Sequence, residues 1–361
     1  MIYSIFPTKD TTIYEDEPYL NTGMDSILEI TKTISTDITN TRILMKFDLD
    51  EIPDEALAAS TASYFLNLIS TEVREIPLSY SIYAYPISGS WEMGTGKSDY
   101  VPIVKEGAGW VYSDGYTPQS VWFSGSDNIF GGSYFVSESG GGAWYTSSAA
   151  SQSYEYESAD IRMEVTDIIN EWTASIIPNE GFIIRRISAD ESSSAEMGSI
   201  KFYSRDSHTI FPPKIEICWD DSTFVTGALE PLISGSTYLD EVVINPKNLK
   251  SDYKQDTKIK LRVVGRERYP LRTYSTTSAY LGIKYLPSSS YYSIKDMASE
   301  EIVIPFDDDF TKVSCDSRGN YINLWCNGLQ PERFYRLLFK VLDDDGNEEY
   351  FDNDYFFKVV R

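Results

Sequence analysis

The feature that most constrains this chain is the recurrence of short, strand-length runs of β-branched and aromatic residues separated by polar or proline-containing turns. "SILEITK" (26–32), "TRILMKFDL" (41–49), "ASYFLNLIS" (62–70) and "YSIYAYPIS" (80–88) follow one another in this way. Such runs suit pleated, half-buried surfaces, and their spacing predicts a sandwich or barrel. Helical spacing is clear only in "EVTDIINEWTASI" (164–176). There Ile168, Ile169 and Trp172 share one face and Thr166 is expected to cap the start. A second β pattern follows residue 245, in "TKIKLRVVGRERY", "SAYLGIKYLP", "EEIVIPFD", "NYINLWCNG", "RFYRLLFKVLDDDG" and "DYFFKVVR". Alternation over 336–341 and 355–359, around a turn at 343–346, predicts a hairpin.

The expected fold is therefore all-β: an N-terminal jelly-roll sandwich over residues 1–221, with long Gly/Ser/Tyr loops and one short helix. A smaller, immunoglobulin-like sandwich over 222–361 follows, expected to serve assembly. The 361 residues are enough for two such cores, and 42% hydrophobic content excludes wholesale disorder.

Charge narrows the partners. With 31 Lys and Arg against 55 Asp and Glu the net charge is −24, which repels a phosphate backbone, so nucleic acid is not an expected partner. The apolar runs fall short of the length that spans a bilayer as a helix, and the first residues lack the pattern of an ordinary export signal. No membrane association is expected. Cys218, Cys315 and Cys326 match no zinc spacing, and three thiols make no complete disulfide set. Free, partly buried thiols made in a reducing compartment are expected.

"SWEMGTGK" (90–97) has the glycines and lysine of a phosphate loop, but it lacks the full GxxxxGK[ST] spacing and no apolar helix follows. It reads as a loop at a sandwich corner. Trp91, Trp110, Trp122 and Trp144 fall in the Gly/Ser/Tyr loops, either as an exposed platform that stacks on sugar rings or as buried anchors of those loops. The acidic runs at 307–309 and 343–345 do not follow EF-hand spacing and read as solvated turns. Asp10, Asp16, Asp99 and Asp167 are the remaining candidates for a structural ion. His208 is the sole histidine and no nucleophile elbow accompanies it, so catalysis by a Ser-His-Asp triad is not expected. No spacing fixes a pair of carboxylates for glycoside hydrolysis. The chain reads as a non-enzyme without a cofactor.

One further signal is the order of motifs. "TIYEDEPYLNTGMDSILEI", "TRILMKFDLDEIPDEALAASTASYFLNL", "SWEMGTGK", "GAGW", "VTDIINEW", "NEGFIIRR" and "FYSRDSHTIFPPKIEI" succeed one another over residues 3–219. This series resembles the DNRLRE-type jelly-roll domain, a family similar to carbohydrate-binding modules and found in large extracellular proteins and phage virion proteins. In this pattern Arg42, Lys46 and Asp48 would face solvent while Ile43, Met45 and Phe47 face the core. The C-terminal segments "YYSIKDMASEEIVIPFD", "GNYINLWCNGLQPERFYRLLFKV" and "FDNDYFFKVVR" resemble virion structural proteins of large tailed phages. The resemblance implies a virion component made in the host cytoplasm. It would sit at the tail, neck or head vertex as a symmetric homo-oligomer held to other virion proteins. The alternative it leaves is a glycan-binding module of a receptor-binding fibre or cell-surface adhesin.

Overall fold

A computed structural model describes all residues except 35–37, 123–133, 137–139, 157, 234–238, 271–281 and 344; the loop segment "GSDNIFGGSYF" (125–135) therefore lies mostly outside the described residues. The fold is all-β and sandwich-like, with few helices. It divides into two compact units. One comprises Ile5–Asp54 and Ser63–Ile217; the other comprises Cys218–Arg361 with Met1–Ser4 and Glu55–Ala62.

In the N-terminal unit the larger sheet runs, in spatial order, Ala150–Glu155, Ser79–Pro86, Phe182–Arg185, Ile38–Phe47, Ile27–Ile34, Gly198–Tyr203 and Ser70–Arg74; Pro7–Tyr14 also pairs with Ile38–Phe47. A second sheet places Lys214–Cys218, Ser63–Leu68 and Ile161–Glu164 side by side. Ser79–Pro86 alternates between buried positions and exposed or half-buried ones, as a strand with one core face requires. Ile38–Phe47 does not, because its residues from Asn40 to Met45 are all buried. Arg42, expected at the surface, is only 6% exposed. The reason is that the strand carries packed material on both faces.

The helix forms at Thr166–Thr173, with Ile168, Ile169 and Trp172 buried. Its N-cap is Val165 and makes no side-chain cap bond, so Thr166 is not the cap. Its hydroxyl instead accepts the Tyr64 N–H at 3.0 Å, tying the helix start to a neighbouring strand. Trp172 lies 4.6 Å from Phe182, centroid to centroid, and fixes the helix against the larger sheet. One-turn helices at Asp54–Leu57 and Ser188–Glu191 were not anticipated.

The C-terminal unit is a second pair of sheets. One orders Glu230–Pro231, Lys284–Tyr285, Lys258–Glu267, Gly319–Trp325 and Ser314–Asp316, with Val242–Lys247 also on Lys258–Glu267. The other orders Asp252–Lys254, Glu348–Val360, Arg333–Leu342, Ser290–Asp296 and Ile302–Ile304. Leu261, Ile322 and Leu324 from the first and Leu337 and Phe357 from the second line one apolar space, which marks the inter-sheet core. The expected hairpin is present as Arg333–Leu342 against Glu348–Val360, with Gly346 at φ 84° in the turn.

Candidate functional site

The four loop tryptophans converge on one place. Trp91, Trp110, Trp122 and Trp144 are 2–3% exposed and share a single cluster with Ile13, Leu44, Ile87 and Ile183 in the N-terminal unit. Two of the polar edges are satisfied internally, the Trp91 Nε1–H donating to Glu180 O and the Trp122 Nε1–H to Gly109 O, each at 2.9 Å. An indole whose faces are packed and whose N–H is committed has nothing to stack on a pyranose. These residues act as anchors of the long loops.

Charge is built into the same cluster. The Arg42 guanidinium lies 4.6 Å from the Trp110 ring and 5.2 Å from that of Trp144, while Arg185 lies 4.5 Å from Trp144. Glu191, on the one-turn helix Ser188–Glu191, answers both. It accepts Arg42 Nη2–H at 2.7 Å and Arg42 Nε–H at 3.1 Å, and it pairs closely with Arg185. Arg42 also donates to the Gly141 carbonyl. Burial, and then the neighbouring Arg42, push the Arg185 guanidinium down to about 10. The ring faces and the carboxylate together replace the water that two buried cations lose.

The glycine run at 140–142 is required by this arrangement. Gly141 sits at φ 90°, and a Cβ there would fall 2.4 Å from Arg42 Nη1 and 2.9 Å from the Trp110 ring. Next to this network the Lys32 ammonium, fully buried, donates to Ser193 O and Ala195 O at 2.6 Å each. Arg186, also buried, reaches Met197 O at 2.7 Å and lies over Tyr80, which stacks on Tyr154. Four cations thus hold the 188–197 segment in place.

"SWEMGTGK" resolves as a loop wrapped around one side chain. The Asn21 amide donates to Met93 O at 2.7 Å and Ala108 O at 2.9 Å, and its Oδ1 accepts the Gly96 N–H at 2.8 Å. A Cβ on Gly94 would lie 2.3 Å from Asn21 Oδ1, and one on Gly96 would lie 2.1 Å from Asn21 O. The glycines serve close approach to Asn21, and the amide that a phosphate would need is already bonded.

The remaining candidates stay dispersed. Among the described residues no group of three or more His, Cys, Asp or Glu side chains is placed to hold a metal. Asp307 and Asp343 use their carboxylates to close their own turns, accepting the N–H of Asp309 and Asp345 at 2.8 and 3.0 Å. His208 terminates a short turn at φ 52°. Asp10, on Pro7–Tyr14, is 1% exposed; burial, with Asp206 nearby, raises its carboxyl to about 7 although it accepts the Arg205 N–H at 2.8 Å. Its Oδ1 makes no hydrogen bond among the described residues. A carboxyl titrating near neutrality suits proton transfer, yet this one is closed off from any substrate. Cys218, Cys315 and Cys326 are buried and form no disulfide with one another, and among the described residues no helix is long and apolar enough to cross a membrane.

The buried Arg42–Glu191–Arg185 group was not foreseen as a unit, because its members lie up to 149 residues apart. Fold and site define a class, a two-unit β-sandwich protein whose aromatic and ionic clusters serve packing. No protein-family model matches the chain, and no curated protein matches it.

Proposed function

We propose that the chain is a non-enzymatic structural component of a tailed-phage particle, acting at the tail, neck or head vertex through protein–protein assembly. The observation that carries this reading is where the chemistry-bearing side chains are spent. The tryptophans, the buried arginines and Glu191 fix loops, and none of them opens onto a cleft. What faces outward is an acidic surface and sheet edges, which suit recognition by shape and charge. The ordered resemblance to DNRLRE-type jelly rolls over residues 3–219, and that of the C-terminal segments to virion proteins, supply the phage context.

The test is quantitative mass spectrometry of purified particles that encode this chain, together with sedimentation of the recombinant protein. The expected result is a fixed copy number that is a multiple of the particle's axial symmetry. Its absence from washed particles would refute the proposal. A glycan-binding role would need a surface other than Trp91, Trp110, Trp122 and Trp144. Saturable binding of host polysaccharide in titration calorimetry would favour that role over assembly.

A further inference from the structure

The C-terminal unit contains a strand edge that its own chain leaves open. Val242–Lys247 pairs antiparallel with Lys258–Glu267, the ladder running from Val242 opposite Glu267 to Lys247 opposite Arg262. There the chain departs, and its next strand, Asp252–Lys254, joins the other sheet beside Glu348–Val360. Residues 258–261 are therefore paired on one side only, to Gly319–Trp325, among the described residues. Cys326 N–H donates to Thr257 O at 3.0 Å. By the alternation of an antiparallel ladder, the backbone groups of Ile259 and Leu261 then face that neighbour, and those of Lys258 and Lys260 face the open side.

Along this edge runs an open groove of about 520 Å³. Lys247, Lys250 and Lys254 line it from the departing chain, and Lys258, Lys260 and Arg262 from the strand. The last three are already engaged: Lys258 with Glu55 at 2.6 Å, and Lys260 and Arg262 with Asp316 at 3.3 and 2.6 Å. Lys247, Lys250 and Lys254 are exposed and form no ion pair among the described residues. Between residues 247 and 268 the sequence holds eight basic and three acidic residues, within a chain of net charge −24. The floor is apolar: Ile259 and Leu261 line both the groove and the inter-sheet space beneath it.

We propose that this groove is the docking site for an extended acidic segment of another protein. The segment adds as a strand to the open edge at Lys258 and Lys260 and sets its carboxylates against Lys247, Lys250 and Lys254. Three separate features converge on that occupant. The free N–H and C=O groups match a polypeptide backbone, the three unpaired ammonium groups match carboxylates, and the apolar floor takes the alternate side chains of a strand. A polyphosphate would use the lysines but neither the edge nor the floor. A second copy of the chain is disfavoured because each copy carries 24 net negative charges. Lysines on an edge strand commonly repel indiscriminate pairing, and the charge that repels a basic strand admits an acidic one. The inference goes beyond the particle assignment and does not rest on it.

The test uses the intact protein and an end-capped ten-residue peptide of alternating Glu and Val, with a Lys/Val peptide as control. Saturable binding of the acidic peptide alone is expected, with slowed amide exchange at Lys258 and Lys260. Affinity should fall about tenfold or more between roughly 50 mM and 0.5 M salt. Lys247→Glu, Lys250→Glu and Lys254→Glu together should weaken binding at least about tenfold. The melting temperature should hold, since these side chains have no ion pair to lose. The proposal is overturned by absence of binding, by binding that leaves those two amides unprotected, or by equal affinity for a ten-nucleotide single strand. Self-association of the wild type that the triple variant abolishes would equally overturn it, by naming a second copy as the occupant. None of these outcomes bears on the copy number found in particles, so the two proposals fail separately.

Discussion

Replacing Glu191 by Gln tests the ionic cluster at its centre. Glu191 is 7% exposed, Arg42 6% and Arg185 2%. The substitution keeps the side chain's size and removes the one carboxylate that both guanidiniums share. Two cations would then stand close together out of water, with ring faces but no counter-charge. Removing one partner of a buried pair costs about 3–5 kcal/mol, because the survivor stays desolvated and unpaired. At roughly 2–4 °C per kcal/mol for a domain of this size, the melting transition should fall by about 6–20 °C. Tryptophan emission is the natural probe, since Trp110 and Trp144 lie against these arginines. Added salt should restore little, because burial limits screening. A control with Arg42→Met, Arg185→Met and Glu191→Leu together should recover most of the loss, since a packed apolar substitute is often as stable as an ionic group. A drop under about 2 °C for Glu191→Gln would refute the claim that this carboxylate holds the cluster together.

Asn21→Ala should cost about 2–4 kcal/mol in chemical denaturation, because it leaves buried groups of Met93, Ala108 and Gly96 without their partner. Gly96→Ala should act in the same direction through its clash with Asn21, and unchanged stability in both would refute the hub. Asp10 makes stability depend on pH. Its carboxyl rises from 3.8 to about 7 on folding, so its contribution is complete below pH 3.8 and is lost as pH climbs through 7. That loss reaches about 4 kcal/mol, and the difference in melting temperature between Asp10→Asn and the wild type should move in favour of the variant from pH 4 to pH 8. A difference that stays flat with pH would sink the assignment. Cys218, Cys315 and Cys326 should resist a thiol reagent in the native protein and react fully after denaturation; rapid native reaction would contradict their burial.

What the sequence disclosed and what it withheld divide along local and long-range physics. Alternation is a property of neighbours, so Ser79–Pro86 and the hairpin Arg333–Leu342 with Glu348–Val360 were readable directly. Trp172 and its helical face were equally local. Arg42 departs from the expected solvent face because a lone strand reveals only one of the layers that cover it, and the second layer comes from loops about a hundred residues onward. "SWEMGTGK" reads from its sequence as a loop at a sandwich corner, but nothing local names Asn21, 75 residues away, as the side chain the loop wraps. The basic groove was hidden for a different reason. Averaging charge over 361 residues reports only an acid excess, whereas a window over 247–268 would have exposed the local reversal.

The distribution of charge links the core to the surface. Lys32, Arg42, Arg185 and Arg186 are buried in the N-terminal unit, and Glu191 is buried against Arg42 and Arg185. Among the described residues Asp10, Glu191, Glu216 and Asp296 are buried as well, four acids against four cations, so the interior leaves the excess of acids to the rest of the chain. Burial itself holds the Asp10 carboxyl up at about 7, with the neighbouring Asp206 adding to the rise, and burial likewise lowers Lys32, Arg185 and Arg186. The excess of acids therefore stays outside the core as an acidic surface. Such a surface keeps copies apart in solution, and the lysines at 247, 250 and 254 offer an opposite potential to an approaching acidic strand.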